Sequence, residues 1–407
     1  MDLEKLHREE SGRVLATLIR LLGDFDLAEE SLQEAYTVAL QKWPAEGTPA
    51  NPRAWLISTA RHKAVDRLRR ARRFEEKQEE IAWTAETSVA PVDAASENVF
   101  ADDQLRLIFT CCHPSLAVEA QVALTLRTIC GLTTDEISRA FVIPVSSLAQ
   151  RLVRAKRKIR EAGIPYVVPA REDLAERVDS VLLVIYLIFN EGYLASSGDA
   201  LVRRELCAEA IRLARLLCEL LPKEAEAQAL LGLLLLQDSR RDARVSSDGE
   251  LVLLEDQDRS RWDAQEIGEG TRLTELAMRS GANGIYALQA SIAALHANAK
   301  TPADTDWRQI VALYDLMLHI NPSPVVAVNR AVAVAMADGP QAGLALLDEL
   351  HRGAELADFH LLHAARADLL RRLQRNEEAR LAYEEALRLA TNDVERRFLR
   401  RRLAEMA

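Results

Sequence analysis

Apolar residues recur at three- and four-residue spacing along almost the whole 407-residue chain, and alternating runs of strand type are nearly absent. The first stripe, Leu6, Val14, Leu15, Leu18, Leu21 and Leu22, predicts a helix over 4–22, broken at Gly23-Asp24. A second helix, over 26–43, turns Leu27, Leu32, Ala35, Tyr36, Ala39 and Trp43 inward and Glu30, Gln33 and Glu34 outward. Its acidic first turn complements the helix dipole. Pro44 to Pro52 contains three prolines and a glycine, which predicts a loop closed to helix. Asn51 is placed to cap the next helix and Pro52 to occupy its first turn. That helix, over 53–74, buries Trp55, Leu56, Thr59, Ala60, Ala64 and Leu68. It leaves Arg61, His62, Lys63, Arg67, Arg69 and Arg70 outside.

Residues 75–98 carry acids and no apolar period, and read as a linker. Helix resumes over 102–112 with Leu105, Leu107, Ile108 and Phe109, turns at 113–116, and runs again over 118–130 to a natural C-cap at Gly131. Thr133 or Thr134 caps a short helix bearing Ile137, Ala140 and Phe141. After Val142-Ile143-Pro144 a further helix sets Leu148, Leu152, Ala155 and Ile159 on one face. Its other face presents Ser146, Ser147, Gln150, Arg151, Arg154, Lys156, Arg157 and Lys158, with no acid before Glu161. Polar side chains first and phosphate-binding cations further along is the layout of a helix-turn-helix whose second helix enters the major groove. Taken alone, the same pattern also fits a solvated amphipathic helix with a positive C-terminus.

Eleven more helical segments follow between 174 and 404. Residues 361–391 match a tetratricopeptide unit, with Ala367, Ala379, Tyr383 and Ala386 at the packing positions, and an upstream copy has Ala331, Gly343, Leu347 and Leu350. The offset from Ala331 to Ala367 is 36 residues, near the roughly 34-residue period of that repeat. One segment, 240–263, breaks the pattern. Ser-Ser-Asp-Gly there reads as a turn between two short strands, and Asp256, Asp258, Arg259, Arg261, Trp262 and Asp263 then crowd charge around a tryptophan. A salt-bridged interdomain or regulatory loop is the expected role. Asn190 to Tyr193 and Asp304 to Trp307 are similar polar-aromatic junctions, expected to pack or dock.

Composition narrows the function. No apolar run reaches the roughly 18–20 residues of a membrane span, and the chain opens charged and amphipathic, which predicts a cytoplasmic protein with no membrane partner. Five cysteines form no C-x-x-C pair, and Cys111-Cys112-His113 fits a zinc site poorly, so buried thiols and no metal or other cofactor are expected. The net charge of −10 is unevenly spread. Residues 1–170 carry 23 Lys and Arg against 24 Asp and Glu, and residues 171–407 carry 29 against 38. Within the first part, residues 53–73 hold eight basic side chains against Asp66 alone. Local patches of this kind, rather than the total, set the field at DNA phosphates. A basic helix with Trp and His beside a polar loop can also track an unstacked single strand.

Three stretches in this order are specific together. DFDLAEESLQEAYTVALQKW, NPRAWLISTARHKAVDRLRRARR and GLTTDEISRAFVIPVSSLAQRLVRAKRKIR resemble the polymerase-clamp helix, the minus-ten segment and the minus-thirty-five helix-turn-helix of sigma-70-family initiation factors of the extracytoplasmic-function type. Val142 stands where the family usually has glycine, Pro144 where it often has a capping serine, and His113-Pro114 where it has Leu-Pro. The resemblance implies an all-α chain: domain 2 over 1–74, a linker over 75–101, a domain 4 helix-turn-helix over 102–165, and a tetratricopeptide-like regulatory domain over 171–407 with one hairpin-like insertion. It implies core RNA polymerase, through its largest-subunit clamp helices and flap, and promoter DNA, double- and single-stranded, as partners. Glu30, Gln33 and Glu34 would then meet polymerase. Asn51, Trp55, Arg61, His62, Lys63, Arg67 and Arg70 would face the melted minus-ten strand, with a flipped base in the 44–51 loop. Ser146, Ser147, Gln150, Arg151, Arg154 and Lys156 would meet the minus-thirty-five element.

The resemblance also implies a non-catalytic chain whose C-terminal part, answering to a protein or small-molecule ligand, controls the rest. Two other classes compete. A helix-turn-helix regulator acting without polymerase leaves the 24–43 helix unexplained. An enzyme built around 240–263 lacks a nucleophile–base pair, a phosphate-cradling loop and metal spacing.

Overall fold

A computed structural model describes residues 3–75, 97–141, 143–170, 172–195, 201–353 and 355–406. Most of the stretch expected as a linker, together with Val142 and Asp199 to Ala200 at the expected start of a helix, lies outside them. The described residues form eighteen α-helices and no sheet. They divide into two compact units, Met1–Val184 and Ile185–Ala407.

In the first unit, α1 (Leu3–Leu22), α2 (Phe25–Glu46) and α3 (Pro52–Glu75) pack on one another. Val14, Leu18, Ala28, Ala35, Leu56 and Ile57 lie at or below 1 % exposure in their core. Asp24 caps α2 by accepting the Leu27 N–H at 2.8 Å, and Asn51 caps α3 by accepting that of Ala54 at 3.0 Å. Two expectations need correction. Helix continues through Pro44 to Glu46 and stops at Gly47, which takes φ 85° and returns its N–H to Trp43 at 2.9 Å. A proline in the final turn disturbs little hydrogen bonding beyond its own missing N–H, so it need not end the helix there. Leu68, expected in the core, is 46 % exposed, and Ile57 fills the interior instead.

Helices α4 (Glu97–Cys111), α5 (Val118–Thr128), α6 (Thr134–Phe141) and α7 (Val145–Glu161) follow in the same unit. Gly131 takes φ 70° after α5, and Leu132 N–H reaches back to Leu126 O at 3.1 Å, a left-handed helix terminus. Thr133 and Glu136 form a reciprocal cap on α6: Thr133 Oγ1 accepts the Glu136 N–H at 3.1 Å and Glu136 accepts the Thr133 N–H at 2.7 Å. Pro144 precedes α7 without a side-chain cap. The turn is held from the other side, by Ile143 N–H on Ser138 O at 3.1 Å and by the Ser138 hydroxyl on Ile143 O.

Helix α8 (Leu174–Tyr193) runs four residues past its expected end and leads into the second unit. There α9 (Arg204–Leu220), α10 (Ala225–Asp238) and α11 (Ala264–Arg279) follow. Six leucines of α10 are buried, each contributing about 2 kcal/mol by its removal from water. Glycines set the α10–α11 approach, since a Cβ on Gly232 would lie 2.7 Å from Thr274 Oγ1 and one on Gly270 2.8 Å from Leu236 Cγ. The chain continues through α12 (Ile285–Asn298), α13 (Trp307–Ile320), α14 (Pro324–Asp338), α15 (Pro340–Arg352), α16 (His360–Arg372), α17 (Asn376–Leu389) and α18 (Asp393–Ala404), each packed on the next. Of the repeat positions expected from sequence, Ala331 is 1 % exposed, Tyr383 2 %, and Leu347, Ala367, Ala379 and Ala386 0 %, while Leu350 is half-buried at the edge of that core.

Residues 240–263 form a strap rather than a two-stranded hairpin. The expected strands reduce to one antiparallel bridge, Val245 with Leu251, around Gly249 at φ 75°. The strap leaves and rejoins the helices at one point, where Asp263 N–H meets Ser239 O at 2.9 Å. Between these ends it is tied to α12 by Arg259, to α16 by Glu255 and to α18 by Glu250.

Candidate polymerase and nucleic-acid interface

Four apolar side chains fix how α7 is presented. Leu148, Leu152, Ala155 and Ile159 are all buried, toward α5 and α6. The helix therefore turns Ser146, Ser147, Gln150 and Arg154 to solvent, with Arg151 half-buried at the margin. Gln150 Oε1 accepts from Arg154 Nη2 at 3.2 Å, so the two are already aligned on one face. Arg157 follows on the same face, with Glu161 at 3.7 Å as its ion-pair partner among the described residues.

Lys156 departs from that group. Its side chain is 12 % exposed and turned to α2, where Nζ lies 3.1 Å from Asp26 Oδ1 and 2.7 Å from Glu29 Oε2. Arg160 reaches Asp24 at 3.5 Å on the same side. The helical period explains the difference: Lys156 lies one residue after Ala155, near the buried edge of α7, whereas Arg157 falls in line with Gln150 and Arg154. Arg157 was legible as a cation on the exposed face but was passed over as a site residue.

On α2, Glu30 and Glu34 remain 50 % and 44 % exposed although Arg67 Nη1 of α3 approaches them at 2.8 and 3.6 Å. Gln33 is exposed beside them. Along α3, His62, Arg67 and Arg70 are exposed, and Arg61 and Lys63 half-buried. Trp55 is half-buried with its ring edge-on to Trp43 at 5.3 Å, and Asn51 uses its side chain as the cap already described. Arg53, part of the same basic run, belongs to the scaffold: it holds Glu10 of α1 at 2.6 and 3.0 Å.

Sequence reasoning missed what clamps α4 to α1. Asp103 has no exposed surface and accepts from Thr17 Oγ1 at 3.0 Å, Arg20 Nε at 2.8 Å and Arg106 Nη1 at 3.0 Å. Tyr166 adds its hydroxyl, donating to Ala16 O at 2.8 Å and lying 3.1 Å from Asp103 O. A single Asp in an acidic stretch gives no signal of this role in sequence. Cys111 and Cys112 are fully buried against Thr128 and Thr125, and burial pushes the Cys112 thiol up to about 12. His113 Nδ1 accepts the Ser115 N–H at 3.1 Å. Among the described residues no group of three or more His, Cys, Asp or Glu side chains could hold a metal ion.

Comparison with known proteins agrees with this geometry. Residues 6–74 match the model for sigma-70 region 2, residues 106–159 that for sigma-70 region 4, and residues 177–278 a family of unknown function, DUF6596. The probable ECF RNA polymerase sigma factor SigI of Mycobacterium tuberculosis is 31 % identical over 161 residues, 39 % of this chain and 54 % of SigI. The chain belongs to the sigma-70 family, extracytoplasmic-function type. The ECF RNA polymerase sigma factor SigK of Mycobacterium ulcerans is 29 % identical over 36 % of this chain and 78 % of its own length. Both of these matches span well under half of this sigma factor. A Rhizobium meliloti protein described as uncharacterized is 42 % identical over 97 % of the chain and 93 % of its own length, a match that spans the helical extension as well. Among the described residues no helix is long and apolar enough to cross a membrane.

Proposed function

We propose that this sigma factor directs core RNA polymerase to its promoters by a two-point grip. Residues 1–74 act as domain 2, 102–165 as domain 4, 75–101 as their linker and 171–407 as a regulatory domain. Ser146, Ser147, Gln150, Arg151 and Arg154, joined by Arg157, read the minus-thirty-five element. Trp55, Arg61, His62, Lys63, Arg67 and Arg70 hold the melted minus-ten strand. Glu30, Gln33 and Glu34 engage the clamp helices of the polymerase, and the helix-turn-helix part its flap. The observation that carries this reading is the segregation on α7, with an apolar face buried and a polar, basic face open along its length.

Core polymerase plus this protein, on duplex and pre-melted promoters, tests the reading directly. Polymerase-dependent initiation from both is expected, with minus-thirty-five dependence on the duplex. Duplex binding with no initiation would favour a regulator that works without polymerase.

The two kinds of cation on α7 predict different mutants. Arg154→Ala should weaken duplex affinity by about 1–3 kcal/mol if it reads a base, or reduce the salt slope by about one if it contacts phosphate. Lys156→Ala should change duplex affinity less than about twofold, because its ammonium is held by Asp26 and Glu29. Fluorescence anisotropy across a salt series separates them. Equal losses in the two variants would mean that Lys156 leaves its carboxylates on binding.

A further inference from the structure

The strap encloses space against the repeats. A cavity of about 580 Å³ lies between Leu253 to Arg259 and helices α12, α13 and α14, within the range of small-molecule sites. Trp307, Ile310, Tyr314, Val332 and Met336 give it an apolar wall. A second chamber of about 320 Å³ adjoins it, sharing Leu253, Asn329, Val332, Met336 and Arg372.

Charge at one end is uncompensated. Arg259 lines the cavity, its guanidinium 4.4 Å above the Trp262 ring. Nη1 donates to the carbonyls of His296 and Ala299 at 2.7 and 2.8 Å, and its buried Nε has no hydrogen-bond partner among the described residues. Arg240 lies over the same ring at 5.9 Å and is hydrogen-bonded to the Tyr193 hydroxyl and the Gln237 amide oxygen. Neither arginine has a carboxylate ion-pair partner among the described residues. The acid acting on Arg259 is Asp304, whose carboxylate already accepts from Thr301 N–H at 3.0 Å and Oγ1 at 2.8 Å. His296, edge-on to Trp307 at 5.1 Å, has a buried Nδ1 without a hydrogen-bond partner among the described residues. Burial and the two arginines push it down to about 4, so it is neutral at pH 7. Partly buried cations without an ion-pair partner are costly, and an anion placed beside them offsets that cost.

We propose that this cavity binds a small organic monoanion, its aromatic or branched apolar body against Trp307, Tyr314, Val332 and Met336 and its carboxylate-like head at Arg259. The site uses two features that the promoter grip leaves unexplained, the strap and the Asp304 to Trp307 junction. It stands whether or not that grip is correct.

Two fluorescent probes of similar aromatic body, anionic anilinonaphthalene sulfonate and neutral N-phenylnaphthylamine, test it on the full chain. One saturable site for the anion is expected. Arg259→Gln should weaken the anion about tenfold or more while leaving the neutral probe within about twofold. Val332→Trp and, independently, Met336→Trp fill the cavity and should abolish both, with circular dichroism confirming that at least one of them is folded. Unchanged anion affinity in Arg259→Gln, an equal loss of both probes there, or saturable binding that survives in a folded filled variant overturns the proposal.

Discussion

Gly343→Val is expected to unfold the C-terminal repeats locally while leaving residues 1–184 intact. Gly343 faces α14 so closely that a Cβ would fall 2.4 Å from Ala335 Cβ and 2.6 Å from Ala331 O, against the roughly 3.5–4.0 Å of a favourable carbon contact. Neither neighbour can yield, because one is backbone and the other a methyl fixed to it. Helices α14 and α15 would have to separate, and Leu344 and Leu347, both at 0 % exposure, would lose their fit. Overpacking of this kind costs about 3 kcal/mol or more. Each repeat is stabilised by its neighbours, so the loss should spread along the array. Peptide-resolved hydrogen exchange should show protection falling across 324–404 and holding across 97–141. Unchanged protection in 324–404 would mean that the α14–α15 contact is looser than described.

The second large effect is expected from Asp103→Ala. Its carboxylate is the shared acceptor for Arg20, Arg106 and the buried Thr17 hydroxyl. Removing it strands one buried hydroxyl and leaves two adjacent, partly exposed guanidinium groups without their acid. Breaking a buried pair from one side costs about 3–5 kcal/mol, and partial exposure of both arginines brings the expectation to about 2–4 kcal/mol. Asp103→Asn keeps the shape and a hydrogen-bond acceptor and should lose about half as much. The readout is again hydrogen exchange, with opening in 3–75 and 97–141 and none in 264–298. A loss confined to the exposed turns would show that Asp103 is dispensable.

Much of the fold was legible because helical period reports burial directly. The faces of α1, α2 and α7 came out as read, and the small residues Ala331, Ala367, Ala379 and Ala386 occupy the repeat interior. Capping chemistry was legible as well, at Asn51, Thr133 and Gly131, since each needs only its neighbours in sequence. The errors fell where one turn of helix could go either way. Pro44 tolerates the last turn of α2, and Leu68 stays 46 % exposed where period alone still predicts burial.

For the proposed interface, sequence alone picked out the helices that carry the candidate side chains, because type and spacing of side chains suffice for that. It also fixed the family through three motifs in order. Which cations are free was decided by tertiary structure: Arg53 is held by Glu10, Lys156 by Asp26 and Glu29, and the last two pair with residues about 130 positions away in the chain. Asp103 and the strap belong to the same class. An ion pair or a cavity wall between distant segments leaves no local period, so only the folded chain brings Arg259, His296 and Trp307 around one space.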